Sequence, residues 1–392
     1  MTAASPSAQV DIRRYLADCR ALAVDEIRRF VPDDTLLGPV LYDLVLDYPL
    51  REAKGLRPAL CLAACRALGG SEEAALPTAA VIELYHNAFL VHDDIEDGSE
   101  LRRDSPTLHR VHGVAVAINV GDAMLALALA PLLENTRLVG LGKSLRILQT
   151  IARMARETAE GQALELDWIR NATWTVTDDD YRRMVVKKTG WYSFIAPVTL
   201  GAIIAGATET QLATLQEFAR ELGIAFQIRD DVLNLHSDEA RYGKESCGDL
   251  WEGKRTLMLL HMMCTVSAED RREAERILSL PRPEVDRAPS YDDGFLSMLE
   301  SEGALTKEGR RRLQLHLQGR EATAGATKTT ADVVFLLERV RGSGSIAHAD
   351  RVAREHAHRA RSILDSASPW LARSVHRDLL YALVDFTIGR ET

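Results

Sequence analysis

The chain has 392 residues, 46% of them hydrophobic and only 6% aromatic, with Ala, Leu and Arg plentiful. That is enough apolar material for a large core, in a balance that favours helix over strand. A formal charge of −9 excludes a general affinity for nucleic acid, although basic clusters occur locally. Cys19, Cys61, Cys65, Cys247 and Cys264 form no CxxC pair and no even-numbered framework, the usage of a reducing compartment such as the cytoplasm.

The start, MTAASPSAQVD, has neither a positive n-region nor an apolar h-region, so no secretory signal is expected and residues 1–10 read as a disordered tail. From 12 to 46 apolar residues recur at helical spacing in two segments, with Pro32, Asp33, Asp34 and Thr35 as turn and cap between them. In Tyr48 to Pro58, Pro49 and Gly55 mark a loop, and Pro58 suits the first turn of the next helix. Lys54 and Arg57 therefore sit at a helix N-terminus, where backbone N–H groups and the dipole also favour an anion such as phosphate; the alternative is two solvated basic residues.

The most informative stretch is Ala79 to Arg103. It opens as an apolar helix and ends in Asp93, Asp94, Glu96 and Asp97. At 100° per residue, His86, Asp93 and Asp97 fall within about 40° of one another, so one polar stripe climbs an otherwise apolar rod. Stacked carboxylates repel unless something positive neutralises them, and hard oxygen ligands of this kind suit Mg²⁺ shared with phosphate oxygens. The bland alternative is a solvated helix end. Arg102 and Arg103 follow, and paired arginines grip phosphate bidentately; His109 and His112 lack metal-ligand company and read as hydrogen-bonding or surface groups.

Val114 to Leu133 comes nearest to a membrane span, but Asn119, Gly121 and Asp122 leave its apolar run too short. It reads as a buried helix pair, with no transmembrane segment in the chain. Leu145 to Trp168 is a long amphipathic helix placing Gln162 and Glu165 one turn apart. Lys187, Lys188 and Thr189 lie in the apolar helix Tyr181 to Ala196, where a lysine without a partner is costly. A second acid helix, Glu221 to Leu235, carries Asp230 and Asp231 with Gln227 and Asn234 on the same side. Lys244 and Lys254 occupy a Gly-punctuated loop that returns to helix near Thr256. Residues 281–332 begin Pro-rich and acidic, as a connection or lid, and helical patterns resume from Asp332 to Phe386. No strand pattern of period two appears, so the fold class is all-α, one large helical bundle over residues 11–392.

Six stretches occur in one order: EAKGLRP at 52–58, ELYHNAFLVHDDIED at 83–97, LRRDSPTLH at 101–109, GQALE at 161–165, KKTGW at 187–191, and FQIRDDVLNL through GKESCGDLWEGKRT at 226–256. With these the chain resembles the trans-type isoprenyl diphosphate synthases of the polyprenyl synthetase family, most like geranylgeranyl diphosphate synthases. The resemblance implies the isoprenoid synthase bundle with a central cavity. It also implies a Mg²⁺-dependent prenyltransferase using three ions on Asp93, Asp97 and Asp230, supported by Asp94 and Asp231. Isopentenyl diphosphate would be held by Lys54, Arg57, His86 and Arg103. An allylic partner (dimethylallyl, geranyl or farnesyl diphosphate) would be held by Arg102, Lys188, Thr189, Gln227, Lys244 and Lys254, with Arg102, Lys188, Gln227, Lys244 and Lys254 stabilising the departing diphosphate. It implies a cytoplasmic homodimer.

Three positions depart from the family pattern: Asn234 stands for a third aspartate, Glu165 for an aspartate, and Asp104 for a glycine, where it is placed to pair with Arg102 or Arg103. Phe89 lies one turn, about 6 Å, below Asp93, with small Ala88 beside it. The resemblance implies that product length is set by what blocks the tunnel beneath the first acid motif, so Phe89 is a candidate floor for a twenty-carbon product, the alternatives being ordinary core packing of Phe89 and a farnesyl or longer product. A class I terpene cyclase would carry an Asn/Ser/Glu triad where Asp230 and Asp231 stand, and a non-catalytic subunit would be expected to have lost metal carboxylates.

Overall fold

Side-chain caps set where the helices begin. The Asp11 carboxylate accepts the Arg14 N–H, Ser71 accepts that of Ala74, and Thr177 and Asp180 cap each other reciprocally. The computed structural model describes residues 11–236, 247–283 and 327–389, with positions 300, 306, 309 and 310. The expected tail, most of the 281–332 connection and Lys244 lie outside the described residues. In chain order the helices are α1 (Ile12–Phe30), α2 (Asp43–Leu50), α3 (Leu56–Ala67), α4 (Glu72–Glu96), α5 (Leu108–His112), α6 (Val114–Leu127), α7 (Leu129–Leu138), α8 (Gly140–Arg170) and α9 (Asp178–Val185). There follow α10 (Ala196–Ala205), α11 (Glu209–His236), α12 (Gly248–Glu252), α13 (Leu257–Thr265), α14 (Ala268–Leu278), α15 (Thr330–Gly342), α16 (Ser345–Ser366) and α17 (Val375–Ile388). The all-α expectation holds.

Two local departures matter for the site. Between α4 and α5 the chain makes a hairpin, β1 (Leu101–Arg102) against β2 (Ser105–Pro106). Its turn residues Arg103 and Asp104 hold φ of 53° and 59°, the signs a type I′ turn requires. Two-residue strands are too short to show the alternation that announces a strand. Between α9 and α10, Val186–Ile195 is wound as a π-helix, a form that gathers at functional sites.

The apolar side chains form two clusters. One holds Leu60, Ile82, Phe194 and Leu380, the other Tyr181, Leu250, Met258 and Leu336. Helix α11 belongs to both, through Leu222 and Ala225 on one side and Ile224 and Ile228 on the other. Leu56 and Phe226 from the first cluster, and Tyr181, Met184 and Val185 from the second, wall a common cavity.

The expectation for α6 and α7 needs correction. Val114–Leu138 spans 25 residues and is, by length and composition, apolar enough to cross a bilayer, as is α4. Helix α4 is a core helix, whereas only 39% of the most apolar window of Val114–Leu138 is buried. Its inner face packs on α4 through Val120, Met124 and Leu132, and Asn135 donates to Thr78 Oγ1 at 3.0 Å. Its outer face leaves Val114, Ile118, Leu129, Leu133 and Leu138 exposed. Composition marks such a stretch as apolar but does not say whether this chain covers it.

Candidate active site

The C-terminal turn of α4, the hairpin, α8, the π-helix, α11 and the segment after α12 close around a cavity of about 600 Å³. Asp93 and Asp230, 137 positions apart in the chain, both open onto it. Lys188 Nζ lies 3.4 Å from Asp93 and is ion-paired with Glu165 across the same wall. Lys254 Nζ lies 2.8 Å from Asp97 and 2.5 Å from Glu252. Burial opposes the charge on both lysines, but the surrounding carboxylates outweigh it and hold each ammonium more firmly than usual. Burial pushes the Asp97 carboxyl up to about 7, with Lys254 pulling it back and Asp93 adding repulsion. Asp231 is driven well above the usual carboxylate range, first by burial and then by Asp249, although Tyr181 and Gln227 each donate to it at 2.7 Å. The two lysines therefore leave the acids incompletely neutralised, an arrangement that further cations would relieve.

Across the cavity the charge reverses. Arg57 donates to His86 Nε2 at 3.0 Å and to Ser193 Oγ at 2.8 Å. Arg103 donates to the Tyr48 carbonyl at 2.7 Å, and burial lowers its guanidinium to about 10. Lys54 stands over the Phe386 ring at 5.8 Å. The loop that carries Lys54 can close on α1 because residue 55 is glycine: φ is +64°, and a Cβ would lie 2.5 Å from that of Arg20. Arg20 ties the loop down by donating to the carbonyls of Pro49, Leu50 and Arg51. Arg51 in turn clamps the hairpin through the carbonyls of Arg102 and Pro106, each at 2.9 Å. The cavity thus has an acidic pole with two lysines and a basic pole on a helix N-terminus, with aromatic and aliphatic walls between.

The Polyprenyl synthetase family model matches residues 39–290. The chain belongs to the polyprenyl synthetase family, and it is a prenyltransferase. A geranylfarnesyl diphosphate synthase from Aeropyrum pernix is 32% identical over 341 residues, 86% of this chain and 90% of that protein. Among solved structures, the geranylgeranyl pyrophosphate synthetase of Pyrococcus horikoshii superposes with a TM-score of 0.76 at 29% identity, covering 97% of this chain and 98% of that one. A polyprenyl synthase from Caulobacter crescentus, complexed with calcium and isoprenyl diphosphate, also gives 0.76, at 26% identity over 99% and 100%.

In this family member the cavity gathers Lys54, Arg57, His86, Asp93, Arg102, Arg103, Lys188, Thr189, Gln227, Asp230, Asp231 and Lys254 from the expected set, whereas Phe89, the expected floor, does not line it and packs against Tyr85 and Tyr192 instead. Asp97 joins Asp93 on an adjoining cleft of about 50 Å³. Asp94 does not line the cavity: it is fully buried, ion-paired with Arg102, and accepts from the Tyr48 hydroxyl at 2.7 Å. The Arg102 guanidinium is thereby held by an acid of its own helix–hairpin corner, with Asp93 3.8 Å away. Asp104 is exposed and pairs with neither arginine, contrary to the expected salt bridge. Asn234 accepts the Asp249 N–H at 3.1 Å at the start of α12, a bond an aspartate could also accept. Lys187 turns away to Glu157 at 2.6 Å. Sequence reasoning passed over Asp249, Arg51 and Arg20. Asp249 had a signal, lying between two glycines within a quoted stretch, whereas the arginines act through backbone carbonyls that leave no pattern.

Proposed function

We propose that the chain condenses isopentenyl diphosphate head-to-tail with an allylic diphosphate of five, ten or fifteen carbons, giving a trans polyprenyl diphosphate of twenty carbons. The observation that carries this reading is the shared cavity. Two acid-bearing helices and two lysines form one diphosphate-sized pole, and a separate cluster, Lys54, Arg57, His86 and Arg103, forms another. A terpene cyclase would have no second diphosphate for that cluster to hold.

Among the described residues no three carboxylate or imidazole groups converge to hold an ion unaided. The hard oxygens of Asp93, Asp97 and Asp230 fit divalent ions that complete their shell with diphosphate and water, and we assign three Mg²⁺ to them. Such ions supply Lewis-acid stabilisation of charge on the leaving diphosphate. The chain's own part is electrostatic. Lys188, Lys254, Gln227 and Arg102 stabilise charge building on that group, Lys244 belonging to the same set. The apolar walls shield the allylic cation, and the basic pole orients the second substrate's double bond toward it.

The twenty-carbon assignment is supported by the likeness to a geranylgeranyl pyrophosphate synthetase; Phe89 does not line the cavity but packs at an angle against Tyr85 and against Tyr192, which does, so its part in chain length would act through that wall. The exposed apolar face of α6 and α7 supports a homodimer. Five free thiols support a cytoplasmic location.

The test is incubation with Mg²⁺, isopentenyl diphosphate and each allylic diphosphate, with mass analysis of the prenols released by phosphatase. Asp93→Asn should lower kcat by about a hundredfold or more. Near-normal turnover in that variant, or hydrocarbon formed without isopentenyl diphosphate, would overturn the reading.

A further inference from the structure

One ring touches more of the site than any motif announces. Tyr192 lies on the π-helix, four residues after Lys188, and lines the cavity. The Arg57 guanidinium stands 4.7 Å over its face, and the His86 ring stacks on it at 5.7 Å and 23°. Phe89 meets it edge-on at 5.6 Å and 72°, and Tyr85 meets Phe89 in the same way at 5.9 Å. The next residue, Ser193, takes the second hydrogen bond from Arg57. Along this i→i+5 winding Lys188, Thr189 and Tyr192 all line the cavity.

The ring therefore joins two places the reaction treats separately. Its face carries Arg57 and His86, a guanidinium and an imidazole assigned to isopentenyl diphosphate. Phe89, the aromatic proposed to limit chain length, packs against the same ring at 72°. A guanidinium over an aromatic face in a desolvated pocket is fixed in direction as well as position, because the quadrupole attracts it along the ring normal. An edge-to-face pair likewise fixes the tilt of its partner.

We propose that Tyr192 is a positioning residue coupling the isopentenyl diphosphate pocket to product length. The proposal rests on the placement of isopentenyl diphosphate at Arg57 and His86. Without the ring, Arg57 keeps His86 and Ser193 but loses the surface beneath it, and Phe89, which does not itself line the cavity, loses one of its two aromatic contacts, so the wall it supports can yield.

The experiment compares Tyr192→Leu, Tyr192→Phe, Phe89→Ala and Arg57→Ala, measuring KM for each substrate, the prenol spectrum and Tm. Tyr192→Leu should raise KM for isopentenyl diphosphate roughly tenfold, the order expected from losing one cation–π contact and one ring stack. KM for the allylic substrate should change little, and products should lengthen by at least one five-carbon unit. Tyr192→Phe keeps the ring and should restore both readouts. Phe89→Ala should lengthen the product with KM unmoved. If Arg57→Ala raises KM for isopentenyl diphosphate while Tyr192→Leu alters only Tm, or raises both KM values equally, the coupling is refuted and the pocket stands. If Arg57→Ala leaves that KM unchanged, the assignment of the pocket itself fails.

Discussion

Gly161 lies in the middle of α8, where a glycine ordinarily costs about 1 kcal/mol relative to alanine. Its reason is across the interface. A Cβ there would stand 2.2 Å from the backbone nitrogen of Lys188, 2.6 Å from its Cα and 2.8 Å from the Lys187 carbonyl carbon. All three are backbone atoms, so no side-chain rotation relieves the clash, and ordinary contact begins near 3.4 Å. In Gly161→Ala the π-helix must move by roughly 1 Å, an overpacking cost of about 1–3 kcal/mol against a propensity gain of about 1. The net effect on stability is small to moderate. Activity is the more sensitive readout, because the displaced residue is Lys188, whose ammonium faces Asp93 and, in the reaction proposed above, the departing diphosphate. A shift of that size is worth about a hundredfold in kcat, about 2.7 kcal/mol of barrier. Gly142→Ala, on the same helix with nothing within 4 Å of the added methyl, is the control and should be neutral or slightly stabilising. Steady-state kinetics and urea denaturation of both variants decide the matter. A Gly161→Ala enzyme with parental kcat would refute the claim that this close approach sets the position of Lys188.

Asp94→Asn should destabilise by about 3 kcal/mol in urea titration, since it leaves the buried Arg102 guanidinium without its principal counter-charge; a loss under about 1 kcal/mol would show that Asp93 substitutes for it. Glu221 of α11 lies 2.7 Å from both His356 Nδ1 and Arg359 Nε of α16. Burial alone would raise its carboxyl, but these hydrogen bonds, with the His356 and Arg220 charges, hold it at about 2. A depressed carboxyl contributes stability that is fully present above the ordinary glutamate range and is lost as pH falls from about 4.5 toward 2. That contribution is on the order of 2 kcal/mol after discounting the half-exposed Arg359. Glu221→Gln should flatten this part of the stability–pH curve, and an unchanged slope would assign the acid transition elsewhere.

The amino-acid sequence by itself determined the helices, their caps and the stripe relating His86, Asp93 and Asp97, because these depend on the phase of one helix and on groups within a turn of each other. It also made two charged clusters legible, since Lys54, Arg57, Asp93 and Asp230 each sit at a local feature that favours their charge. Only the tertiary structure decided which charge meets which. Asp93 and Asp94 are neighbours, yet one faces the cavity, and the other is buried against Arg102 and the Tyr48 hydroxyl from a different helix. Lys254 finds Asp97 across 157 positions of chain. Helical phase orients a side chain around its own axis and carries no record of what lies opposite. For the same reason the outer face of α6 and α7 was legible as apolar but not as uncovered. The π-helical winding that places Lys188 and Tyr192 on one wall was likewise hidden. It depends on where α8, α10 and α11 hold that segment, and a few apolar residues in a row read the same whether their hydrogen bonds close at i+4 or i+5.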